Sequence, residues 1–342
     1  MNDRYYIETD FGHGNNAGPK AKKDINLVLS KLGFKKICIK RYKNKYIRAL
    51  MAKVTWHKAL KNIYSSMIVI QYPLYSKRLE KGLVSEFSKK KRNNKFIIFV
   101  HDIESLRNEP DNRFKIKQEM HLINSFDYIV CHNQKMKQWL RANGITKTIL
   151  SLQLFDYIAK DFPETLIDNK NALNYAGNLL KAQFLDKNFT TLPLYIFGTD
   201  IGSKINKNYV YKGNFSPEIV PSKILEGFGI VWDGTSALYP NGNAGNYLKY
   251  ITPHKLSLYL RSGIPVIVWS ESAVAPFVKK QKIGFVVDNL KQVDKLIYSM
   301  SPDEYSLFRR NALVISAKLQ KGYYTCRVIS KIEKEIGKNY KL

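Results

Sequence analysis

The sequence predicts an α/β protein of two doubly wound, Rossmann-like domains. Three observations point there. The chain has 342 residues, room for two domains at about 150 residues each. Short apolar, β-branched runs alternate with helix-length amphipathic segments, the βαβ rhythm of parallel sheets covered on both faces. That rhythm occurs as two series, with the polar stretch 156–171 between them.

The first series places strands at 5–7, 36–39, 67–70, 96–100, 128–131 and 148–150. The second places them at 173–175, 194–197, 229–232, 266–268 and 285–287. Residues 301–338 read as helix alone. The expected division is a first domain over 1–158, a second over 159–316 and a C-terminal helix over 317–342 that packs back on the first.

Composition narrows the function classes. Hydrophobic residues make up 44% and charged residues 25%, which is globular rather than disordered. Cys38, Cys131 and Cys326 are widely spaced and odd in number, so neither a disulfide framework nor a CxxC zinc site is expected. The first ten residues lack a signal-peptide layout, and no apolar run reaches the roughly 18 residues of a spanning helix. The reading is a cytoplasmic protein.

Lys and Arg number 56 against 28 Asp and Glu, a formal charge of +28, so anionic partners are expected. The excess concentrates in 20–61, which holds fourteen basic residues and one acid, Asp24. Within it Tyr46, Ile47, Leu50, Met51 and Val54 recur at helical spacing, with Lys45, Arg48, Lys53 and Lys58 largely elsewhere on the wheel. One reading is a solvated face. Another is a dock on an anionic membrane or a lipid diphosphate. In a third, Tyr42, Tyr46 and Trp56 interleave with charge to bind nucleic acid, though they also fit a core stripe. No helix-turn-helix, RRM, KH or zinc-finger signature accompanies them, and nucleic acid is not the expected partner.

In open α/β sheets chemistry gathers beyond the carboxyl ends of strands. After the first strand, Phe11-Gly12-His13-Gly14-Asn15-Asn16-Ala17-Gly18-Pro19 opens a helix whose amide groups suit a phosphate. The spacing is not GxGxxG, and Ile39-Lys40-Arg41 replaces the acid expected after the second strand, so a nicotinamide cofactor is not expected. No P-loop occurs. After 96–100 come His101-Asp102-Ile103-Glu104, candidates for a general base, and Cys131-His132 ends the next strand. In the second half Thr252 reads as an N-cap and Pro253 as N1, which puts Lys255 in the first turn of a helix closed by Gly263. A cation at that positive end is disfavoured unless an anion joins it, which suggests a diphosphate. Gly177-Asn178, with Lys181, and Phe215-Ser216-Pro217-Glu218, read as an aromatic before a capped helix, are lesser pieces.

The segment Pro253-His254-Lys255-Leu256, Tyr259 and Gly263-Ile264-Pro265-Val266-Ile267-Val268 resembles the P-x-K … G-x-P-V element of GT-B glycosyltransferases. With 227–232, Tyr247-Leu248-Lys249-Tyr250 and Val100-His101-Asp102, the chain resembles a bacterial group of that fold. The group includes β-1,6-galactofuranosyltransferases and glucosyltransferases that extend protein-linked GlcNAc. The resemblance implies two domains facing a cleft, a UDP-sugar on the second and an acceptor on the first. It implies UDP contacts from Asn16, Gly18, Gly177, Lys181, Phe215, Tyr247, Pro253, His254, Lys255, Leu256, Ser257 and Leu258. Lys181 stands where arginine is common. Leu258 stands where many relatives carry a ribose-binding glutamate, for which Glu271 is the substitute. The implied base is Asp102, then His101, Glu104 and His13. No DxD motif occurs, so neither a metal nor another cofactor is expected. The implied acceptor is a saccharide on a lipid diphosphate, at an anionic membrane surface, in surface-polysaccharide synthesis. Transfer of glucose to a glycoprotein glycan is the alternative, and a homo-oligomer stays open.

Overall fold

Runs of buried β-branched and aromatic residues fold into two separate parallel sheets. The computed structural model describes residues 3–9, 17–39, 45–89, 93–163, 165–199 and 205–339. Contacts divide them into two units. The first holds β1, the described residues of 22–153, and 325–339; the second holds 17–21 and the described residues of 154–324.

In the first unit the order is β1 (Arg4–Thr9), α1 (Ala17–Lys31), β2 (Lys35–Ile39), α2 (Lys45–Leu60), β3 (Met67–Tyr72) and α3 (Lys77–Lys89). Then come β4 (Lys95–Val100), α4 (Glu104–Asn108), α5 (Arg113–Ile123), β5 (Tyr128–Cys131), α6 (Gln134–Ala142) and β6 (Thr148–Ser151). The sheet runs β2-β1-β3-β4-β5-β6, so the winding reverses between β1 and β3. All six residues of β3 are buried, as expected for a strand with helices on both faces.

The second unit contains β7 (Leu173–Ala176), β8 (Leu194–Phe197), β9 (Val210–Gly213), β10 (Phe228–Val231), α7 (Gly242–Tyr247), α8 (His254–Arg261), β11 (Val266–Trp269), α9 (Ala275–Gln281), β12 (Gly284–Val287), α10 (Val293–Ser299) and α11 (Pro302–Gln320). Its order is β12-β11-β10-β7-β8-β9, with the reversal between β7 and β10. Two doubly wound parallel sheets are thus present. Its core gathers Tyr175, Phe184, Phe228, Ile230, Trp232 and Leu194. Gly229 is required there: a Cβ would sit 2.1 Å from the Tyr259 ring, whose hydroxyl accepts from Ala176 N at 2.7 Å.

The last helix, α12 (Tyr323–Asn339), contributes most of its length to the first unit. There Arg327 donates to Leu152 O at 2.8 Å and Arg4 pairs with Glu333 at 3.0 Å.

Three local expectations are corrected. Strand β9 was not foreseen, because its residues are largely exposed at a sheet edge and its register against β8 is interrupted. The start of the stretch 156–171 is packed rather than a solvated linker: Asp156 is buried and accepts from Tyr324 N at 3.1 Å. Phe215 is followed by a turn and a 3-10 helix, Val220–Lys223, because Ser216 O accepts from both Ile219 N and Val220 N.

Candidate active site

The second unit builds a polar cluster at its topological switch point, the place where open α/β sheets bind ligands. Lys255, in the first turn of α8, reaches across β7 and β10. Its ammonium donates to Tyr175 Oη at 2.5 Å, to Trp232 O at 3.0 Å and to Asp233 Oδ1 at 2.7 Å. It also lies 4.1 Å from the centroid of the Tyr175 ring. Burial, then the charge of Asp233, push the Tyr175 hydroxyl well above its ordinary value, so it stays protonated and donates to Asp233.

Gly177 makes this possible. It has φ +151°, and a Cβ there would sit 2.8 Å from Lys255 Cε. Gly177→Ala is therefore expected to push the lysine aside and to destabilise the second unit by about 1 kcal/mol, one displaced hydrogen bond's worth. Urea unfolding checks this.

The helix start differs from expectation. Pro253, not Thr252, occupies the N-cap, with ψ 141°, and no side chain caps the helix. Proline fits because the N-cap keeps an extended ψ, and the ring disfavours helical geometry at Thr252. The anion beside Lys255 in this structure is Asp233, an acid directly after β10. Strand-end logic applied to that strand would have found it.

The remaining expected residues fall on several elements. Lys181 ends a 3-10 helix, Leu179–Lys181, after β7, and its carbonyl accepts from Gly234 N at 2.7 Å. Phe215 lies half-buried against Phe197, their centroids 6.3 Å apart, beside the end of β8. His254 packs 5.1 Å from the Tyr157 ring. Leu256, Ser257 and Leu258 turn inward, Ser257 Oγ donating to Phe155 O at 2.7 Å. Tyr247 is buried, while Glu271 is exposed and pairs with Lys249 at 2.8 Å. Gly18 lies in the first turn of α1, within the second unit. Asn16 and His13 lie outside the described residues.

In the first unit His101, Asp102 and Glu104 do come together beyond β4. His101 is buried, its Nε2 2.7 Å from Gln71 Oε1. Asp102 is partly exposed and pairs with Arg107 at 3.1 Å. Glu119, which the sequence reading passed over, is buried and fixes this turn: it accepts from Glu104 N and Ser105 N at 2.8 Å each and from Tyr72 Oη at 2.6 Å. Burial, then Glu119, raise the proton affinity of the half-buried Glu104. Burial, then Glu104, push Glu80 up to about 7. Burial pulls Lys22 down to about 8, against the opposing charge of Asp102. A cavity of about 840 Å³ is lined by Tyr72, Glu80, Glu104, Phe114 and Glu119 among others, while His101, Asp102 and Lys22 are not part of its lining. Cys131 is not poised for catalysis, since burial pushes its thiol up to about 12. Among the described residues, no group of three or more His, Cys, Asp or Glu stands close enough to hold a metal ion. No described helix is long and apolar enough to cross a membrane.

Two doubly wound parallel sheets flanked by helices are the architecture of GT-B glycosyltransferases. Sucrose-phosphate synthase from Thermosynechococcus elongatus shares that fold, with a TM-score of 0.64 and 10% identity over 98% of this chain and 100% of the other. Family models for the glucosyltransferase 3-like N-terminal and C-terminal domains match residues 4–154 and 173–332. The chain belongs to this glucosyltransferase 3-like family and is a glycosyltransferase, of the hexosyltransferase class. It is 29% identical to the β-1,6-galactofuranosyltransferase WbbI of Escherichia coli K12, over 70% of this chain and 71% of that one. It is 25% identical to glucosyltransferase 3 of Streptococcus gordonii, over 90% of this chain and 92% of that one.

Proposed function

We propose that the chain transfers a galactofuranosyl group from its UDP-linked donor to a hydroxyl of a saccharide acceptor. The acceptor is carried on a lipid diphosphate in surface-polysaccharide synthesis, at the cytoplasmic face of the cell membrane. The observation that carries the donor reading is the Lys255–Asp233–Tyr175 cluster closed over Gly177. All three N–H groups of the lysine are engaged, so an arriving diphosphate competes with Asp233 for the ammonium. Lys255, Lys181 and the start of α8 then stabilise the charge that develops on the leaving UDP.

Asp102 takes the proton from the acceptor hydroxyl as its oxygen bonds to the anomeric carbon. The bond between that carbon and the phosphate oxygen breaks, and its electron pair leaves with UDP. Room for the acceptor beside this turn is the cavity at Glu80 and Glu104, which Asp102 adjoins in sequence without lining it and whose volume lies within the usual range for small-molecule sites, about 300–1,000 Å³. Glucosyl transfer from UDP-glucose to a glycoprotein glycan is the second reading, favoured by the greater length shared with the streptococcal relative.

Thermal unfolding against UDP-, GDP- and dTDP-sugars tests the donor class. A UDP-sugar at a hundredfold excess over its dissociation constant adds about 2.7 kcal/mol of stability. A larger rise with GDP- or dTDP-sugars overturns the uridine assignment. Mass spectrometry of the products formed with UDP-galactofuranose and with UDP-glucose separates the two sugar readings.

A further inference from the structure

Helix α2 carries two apolar stripes. Ala52, Trp56 and Leu60 form the buried one. Trp56 Nε1 donates to Leu79 O at 2.8 Å, and Gly82 of α3 makes room, since a Cβ there would lie 3.2 Å from both the Ala52 backbone and the Trp56 ring. The second stripe points the other way: Leu50 is 79% exposed, Tyr46 69%, Ile47 47% and Val54 38%. At the helical repeat these four residues share an arc of about 100°. Lys53 falls just outside one edge of that arc and Lys58 just outside the other, both exposed. His57 lies within it, its ring 3.7 Å from Glu86.

We propose that this outward face of α2 docks the enzyme on an anionic lipid surface, a proposal that rests on the reading of a lipid-borne acceptor given above. An apolar centre with lysines on both flanks is the pattern of a helix lying in the plane of an interface. The aliphatic side chains enter the acyl boundary, and the ammonium groups extend outward to the phosphates. Charge selects this occupant over a second copy of the chain, which would set the exposed Lys53 and Lys58 on the flanks of the stripe against their own kind. Three of the four exposed residues are aliphatic and Trp56 is buried, which selects lipid over nucleic acid, whose bases stack on aromatic and arginine planes.

The test is co-sedimentation of the full chain with vesicles of equal parts phosphatidylglycerol and phosphatidylcholine, beside vesicles of phosphatidylcholine alone. The protein is expected to bind the mixed vesicles and not the neutral ones. Leu50→Glu is expected to weaken that binding roughly tenfold or more. The Lys53→Glu/Lys58→Glu pair is expected to abolish its dependence on the anionic lipid. Leu50 is mostly exposed, so the variant keeps its fold, verified by its melting temperature and by unchanged stabilisation with UDP. That second readout separates failure of the docking surface from failure of the donor site. Equal binding by wild type and Leu50→Glu, or no preference for the anionic vesicles, overturns the proposal. So does concentration-dependent self-association, or salt-sensitive RNA retention, that Leu50→Glu removes.

Discussion

On the proposed donor reading, Lys255→Ala is expected to lower affinity for UDP roughly 100-fold, through loss of charge-assisted contacts to both phosphates at about 1.5–3 kcal/mol each, of which water recovers part. It also destabilises the fold. The ammonium is the common partner of Asp233, Tyr175 and the Trp232 carbonyl, and the side chains of Lys255 and Asp233 are only 16% and 15% exposed. Removing it leaves a largely buried carboxylate with the Tyr175 hydroxyl as its remaining side-chain donor, at a cost of about 1–3 kcal/mol, visible in urea unfolding. The two effects are separable. Adding Asp233→Asn removes the stranded charge, so the double variant is expected to recover most of the stability. It is not expected to recover UDP binding. If calorimetry finds that the double variant binds UDP like the wild type, the lysine serves only to neutralise Asp233, and the diphosphate assignment fails.

That cluster shows what the sequence reveals and what it withholds. Eleven strands could be placed to within a few residues: covered strands such as β3 are unbroken apolar runs, and even the exposed edge strand β2 carries Ile37, Cys38 and Ile39 in a row. Strand β9 could not, because an exposed edge strand needs no such run. A cation in the first turn of a helix, as at Lys255, needs an anion. Sequence alone cannot tell whether that anion arrives with a ligand or comes from a distant strand end. Asp233 supplies it here, and on the proposed donor reading a diphosphate exchanges with it. Helix α2 gives the complementary lesson. Periodicity finds the stripe of Tyr46, Ile47, Leu50 and Val54, but not which way it faces. The shorter stripe of Ala52, Trp56 and Leu60 is the buried one, because the small Ala52 and Gly82 allow the Trp56 ring to seat against α3. The His101-Asp102-Glu104 group was legible as a strand end. Glu119, which holds it in place from α5, gave no local signal, because its role depends on a contact fifteen residues away.

Asp102→Asn is expected to leave UDP binding unchanged and to lower transfer by about 10²–10⁴-fold, the usual contribution of a general base. Among the described candidates Asp102 is a partly exposed carboxylate held by an ion pair, while Glu104 is the one that lines the cavity. His101 is buried against Gln71, which occupies its ring nitrogen, while Asp102 is partly exposed, with Arg107 at 3.1 Å to hold its orientation. The competing base is Glu104, whose half-buried carboxyl holds its proton more tightly than an ordinary glutamate. The pH profile distinguishes them. A base must be ionised to act, so if Glu104 is the base, transfer keeps rising with pH beyond the ordinary carboxylate range and the Glu104→Gln variant loses turnover. If Asp102 is the base, Glu104→Gln retains turnover, and only Asp102→Asn removes the acidic limb of the profile. Arg107→Gln adds a further check: it disturbs the orientation of Asp102 without removing its carboxylate, so kcat should fall less than in Asp102→Asn. Full turnover by Asp102→Asn together with loss in Glu104→Gln transfers the role to Glu104. Retention by both leaves His101 and His13 as the groups to replace next.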